Sequence, residues 1–237
     1  MSTTLIIVLV AMVAIYGGIF YFMQIKKKKQ AEMFLNTNFS AEMNKAAIYK
    51  NNFLKGELSF ISEQMEGKMI DAFNYASLNY TTKDSIKDSL KDSLKGMATL
   101  GTVRFHSVQT PKYLVLSGDD LHLFDTDTDG EISSHFVFKP ARLLVSSITE
   151  LPLEGTIKAY ARQKGDQVKA FRISLATDED PIELILFSAL LFSYPNTGLS
   201  AFSLNVQKNL EEIIIGNDFL KKLGDRYPNL RVSGLVA

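Results

Sequence analysis

Cysteine is absent from the 237 residues, which excludes disulfides, thiolate nucleophiles and thiolate metal sites. The patterns G-x-x-x-x-G-K-[ST], G-x-G-x-x-G and G-x-S-x-G, which cradle phosphates or present a nucleophile, are also missing. Adjacent carboxylates such as Asp119-Asp120 and Glu211-Glu212 point apart in regular structure, so no acid/base pair is legible. No catalytic residue and no cofactor follows from the sequence, and an enzyme is the less favoured class. Charge of either sign is missing from residues 1–25. Lys26, Lys27, Lys28 and Lys29 then take four of the 26 bases, leaving 22 bases against 26 acids in the rest of the chain. A body with that acidic excess is a poor partner for nucleic acid.

What is present begins with an apolar run. Thr4–Met23 is free of charge and long enough, as a helix, to span about 30 Å of hydrocarbon. Tyr16, Tyr21 and Phe22 lie in its second half, where aromatic rings favour a membrane interface. The lysine flank Lys26–Lys29 is costly to translocate and attracts anionic lipid headgroups. The expectation is a single-pass signal-anchor with the N-terminus outside and the C-terminal domain cytoplasmic. A cleaved signal peptide is disfavoured because Met1–Thr4 carries no base and no small-x-small site precedes the lysines.

The expected organisation is α+β: a transmembrane anchor at 1–25, a basic flank and helical connector at 26–96, and a β-rich domain at 97–237. In the connector, Leu54, Leu58, Ile61, Met65, Met69 and Phe73 recur at helical spacing and predict one apolar helix face. It either packs on the downstream domain or forms a homo-oligomer seam. The tandem repeat Lys83–Leu94 places Ile86, Leu90 and Leu94 in a narrow row of a further helix, ended by Gly96.

Alternation then replaces helical spacing. Strands are predicted at 102–108, 112–117, 120–126, 142–149 and 182–187. Asp129-Gly130 centres a hairpin that sets Leu123 opposite Phe136 and Leu121 opposite Phe138. A second hairpin over 156–175, turning at Lys164–Gln167, sets Tyr160 opposite Phe171. Leu210, Ile213, Ile214, Leu220 and Leu223 predict a closing helix that stops at Gly224, with a break at Gly216.

The string from Tyr113 through Asp125 to Ile132, together with the closing Phe219-Leu-Lys-Lys-Leu, resembles the hairpin and final helix of bacterial pleckstrin-homology-like domains over residues 100–225. That resemblance implies an antiparallel barrel of about seven strands plugged by a C-terminal helix. It implies a lipid- or protein-binding module, or a membrane-associated scaffold. Lipid-binding members carry several bases on the first hairpin loop, where this chain offers Arg104 and Lys112. A protein partner of unknown identity is therefore expected over a phosphoinositide. The function expected is a membrane-tethered cytoplasmic protein-binding or scaffolding module. The alternatives are a self-associating structural membrane component and a metal-dependent sensor.

Asp125, Asp127 and Asp129, with Gly130 and Ile132, match the first half of an EF-hand calcium loop. Position 12, which normally supplies a bidentate glutamate, is Phe136, so an acidic hairpin turn is favoured over a calcium site. His122 and His135 face one another across the same hairpin near Asp125, and His106 stands apart. No metal-ligand spacing supports zinc, and histidines on a sheet surface are the ordinary explanation.

Overall fold

The computed structural model describes residues 3–78, 110–127, 131–161, 164–165, 167–191 and 206–235. The repeat at 83–94, the strand expected at 102–108, Arg104, His106 and Asp129 lie outside them.

Helix α1 runs from Thr3 to Asn36 and carries Lys26–Lys29 within its length, not at its end. The expected membrane anchor is corrected: among the described residues no helix is long and apolar enough to cross a membrane. The single-pass signal-anchor, the outward N-terminus and the cytoplasmic assignment of the C-terminal domain depended on that span and are withdrawn with it.

Short helices follow: α2 (Phe39–Met43), α3 (Ala46–Lys55) and α4 (Ser59–Gln64). The single apolar helix expected across Leu54–Phe73 is therefore two helices and a strand. The chain breaks at Gly56, which caps α3. It turns again at Glu66 and Gly67, whose φ values of 50° and 81° lie in the left-handed region. Leu54, Leu58, Ile61 and Met65 are nevertheless buried, while Met69 is 73% exposed. Phe73 is buried in strand β1 (Ala72–Leu78). The apolar row is thus consumed by the protein's own core.

Strand β1 is followed by β2 (Lys112–Ser117), β3 (Asp120–Thr126) and β4 (Ile132–Phe138). Helix α5 (Pro140–Leu143), β5 (Ser147–Leu151) and helix α6 (Gly155–Ala161) come next. Then come β6 (Ala170–Leu175), β7 (Ile182–Phe187) and helix α7 (Val206–Arg226). The seven strands form one sheet in the order β4-β3-β2-β1-β7-β6-β5, with every neighbouring pair antiparallel. An α+β chain with a seven-stranded antiparallel sheet and a C-terminal helix is compatible with the pleckstrin-homology-like architecture.

The β3–β4 register is the predicted one: Leu121 pairs with Phe138 and Leu123 with Phe136. Two other expectations fail. Pro140 starts α5, because proline suits the first turn of a helix, so Arg142 and Leu143 are helical where the strand 142–149 was expected to begin, and β5 begins only at Ser147. The 156–175 hairpin does not form. Phe171 pairs with Glu150 and Leu186, leaving Tyr160 in helix α6.

Both faces of the sheet are buried at its centre. On one face, Leu114, Leu116, Leu121, Leu123, Phe171, Ile173 and Leu186 meet Phe219, Leu220 and Leu223 of α7. On the other, Phe73, Tyr75, Tyr113, Val115 and Phe124 pack under Tyr49, Phe53, Leu58, Ile61 and Met65. Ala161 of α6 joins Ala170, Ile185 and Phe187 in a third cluster. The expected break of α7 at Gly216 is absent. A Cβ there would lie 2.5 Å from the Ala189 backbone, so the glycine lets the helix approach the segment just after β7 closely.

Candidate functional site

The acidic string singled out in the sequence is largely engaged. Asp125 sits in β3 opposite Ser134 and forms an ion pair with the buried Lys112. Asp127 closes the hairpin: its Oδ1 accepts the Glu131 N–H at 3.0 Å, and its own N–H donates to the Glu131 carbonyl at 2.8 Å. Both described aspartates therefore pin the turn. Among the described residues no group of three His, Asp or Glu side chains is placed to hold a metal ion. In α1, Lys28 approaches Glu32 at 3.9 Å.

The two histidines do meet. His122 Nδ1 and His135 Nε2 are 2.8 Å apart, and the rings stack on each other and on Phe124. One ring donates an N–H to the lone pair of the other, so at least one must be neutral. Burial pushes His122 down to about 4, helped by His135 and Lys68, while Asp120 opposes the shift. Burial and Lys68 lower His135 as well. This is an uncharged pair that locks β3 to β4.

An open groove lies at the edge of the sheet. Among the described residues, strand β4 is first in the strand order and pairs on one side only, with β3. Phe138 is buried, but Phe136 and Val137 remain 46% and 40% exposed. Beside them is a groove of about 530 Å³ lined by Phe136, Phe138, Arg142, Ala176, Asp178 and Ile182, among others. That size falls within the range of about 300–1,000 Å³ usual for binding clefts. One wall is β4 with α5, and the other is the β6–β7 turn.

The turn wall is internally braced. Thr177 Oγ1 accepts the Glu179 N–H at 3.1 Å and donates to the Asp180 carbonyl at 2.8 Å. Arg142 and Asp178 form an ion pair between the walls. Leu144 and Val145, just after α5, are 60% and 72% exposed. The opposite sheet edge, β5, packs against the 3₁₀ turn Pro228–Leu230.

Sequence reasoning missed this groove although it had the β4 register. Alternation assigns Phe136 to the core face, but gives no sign that the core face runs out of cover at its edge. No family model matches the chain, and no curated protein matches it either.

Proposed function

We propose that the chain is a protein-binding module on a pleckstrin-homology-like framework, and that it takes an extended segment of its partner along β4. One observation carries this reading: β4, an edge strand among the described residues, also has exposed Phe136 and Val137 and borders the 530 Å³ groove. Exposed apolar side chains on an edge strand are an aggregation hazard, so their presence marks a surface that is covered in use. Adding a strand supplies main-chain hydrogen bonds to the open edge, and side chains entering the groove supply selectivity.

The strand order with α7 packed on the sheet supports the framework. The binding of Lys112 by Asp125 speaks against a phosphate headgroup, because that ammonium is already satisfied and buried. The test is selection from a library of random linear peptides on the immobilised full-length protein. Selected peptides should share an alternating apolar pattern and lose binding to Phe136→Asp. A selection that yields no shared pattern, or peptides indifferent to Phe136→Asp and Val137→Asp, would remove the reading.

A further inference from the structure

We infer that the segment taken by the β4 groove is cationic: an apolar side chain enters beside Phe136, and a flanking lysine or arginine meets the wall formed by Glu179 and Asp180. This rests on the docking reading above and adds the partner's chemistry.

The charged lining of the groove is unequal. Among the described residues it holds one base, Arg142, against three acids, Asp178, Glu179 and Asp180. Arg142 and Asp178 neutralise each other across the groove. The residual field is therefore negative and comes from Glu179 and Asp180, both on the exposed turn. The Thr177 hydrogen bonds fix the turn before any partner arrives, so little ordering cost attaches to presenting these carboxylates. A strand added beside β4 runs between β4 and this turn. Alternate side chains then point into the apolar floor of Phe136, Phe138 and Ile182. A basic residue next to such an anchor has the acidic wall within reach.

A second copy of the same chain is a poorer occupant. Ile132–Phe138 contains no lysine or arginine, so pairing β4 with β4 brings no cation to the wall. An acidic segment would meet like charge, which lowers both encounter rate and affinity.

The experiment uses full-length protein and three dye-labelled peptides of roughly ten residues, long enough to cover a strand, in which valine alternates with lysine, glutamate or serine. Binding is read by fluorescence anisotropy, and folding of each variant by thermal melting. The lysine peptide is expected to bind about fivefold or more tighter than the serine peptide, and the glutamate peptide more weakly than both. The double variant Glu179→Gln/Asp180→Asn should erase the lysine preference while retaining serine-peptide binding. Phe136→Asp should weaken every peptide, although simple attraction to the added carboxylate would strengthen the lysine one. Val137→Asp repeats that arm at a second exposed position.

A lysine preference that survives Glu179→Gln/Asp180→Asn overturns the charge assignment, while loss of binding in Phe136→Asp would leave the docking reading standing. Binding indifferent to Phe136→Asp and Val137→Asp removes the docking reading itself. A dimer in sedimentation that Phe136→Asp dissociates, with no peptide bound, makes a second copy the occupant and overturns the inference.

Discussion

At the residue scale the hairpin hinges on two histidines, at least one of which must stay neutral. His122 is 1% exposed, and its folded value of about 4 lies below the ordinary 6.5. Between those values the unfolded chain takes up a proton that the folded chain refuses. Stability from His122 is therefore complete above about pH 6.5 and declines as the pH falls toward 4, by on the order of 3 kcal/mol in all. Urea unfolding at steps from pH 7.5 to 4.5 should show that decline in the wild type and a shallower one in His122→Gln. Equal slopes would mean that the imidazole titrates normally in the fold. The histidines were legible as neighbours in sequence, because the register expected from a turn at Asp129-Gly130 brings them together. Their neutrality was not legible, because it comes from burial beside Lys68, more than 50 positions from His122 along the chain.

At the scale of elements, the informative failures share one cause. Phe73 and Tyr75 alternate with Ala72, Asn74 and Ala76, yet all five are buried because β1 is covered on both faces. A strand buried on both sides loses the apolar–polar alternation that identifies it, and the four-residue step from Met69 to Phe73 reads as helix. The buried Asn74 is satisfied by donating its Nδ2–H to the Phe187 carbonyl at 2.9 Å, a contact made only when β7 arrives. Gly216 shows the converse. Helix propensity alone favours alanine there by about 1 kcal/mol. Overpacking against the Ala189 backbone, 2.5 Å from the added Cβ, costs about 1–3 kcal/mol. Gly216→Ala is expected to lower the urea midpoint; a raised midpoint would show that α7 can slide away from Ala189 without loss.

At the scale of the whole molecule, α7 ties the three buried clusters together. Leu210 and Ile214 enter the cluster beneath α3 and α4, Ile213 enters the one beneath α6, and Phe219, Leu220 and Leu223 enter the one against the sheet's other face. A helix shared in this way makes the described domain one cooperative unit. Phe219→Ala, at a fully buried site, should cost about 3–5 kcal/mol. Far-ultraviolet dichroism and tyrosine fluorescence should follow that loss as a single transition. Two separated transitions would mean that the α3–α4 layer unfolds independently of the sheet.

The sequence by itself determined the elements whose signals are local: strands β2, β3, β4 and β7, the hairpin register, and a closing amphipathic helix. Each rests on alternation, a turn dipeptide or helical spacing within a few residues. Only the tertiary structure decided that Ala72–Leu78 is the middle strand, that 155–161 is a helix, and that β4 is an edge strand over a groove among the described residues. Those outcomes depend on which distant segments supply cover. A strand's partner on its far side comes from more than 100 positions away for β1 and β7, and no short-range pattern encodes where cover stops.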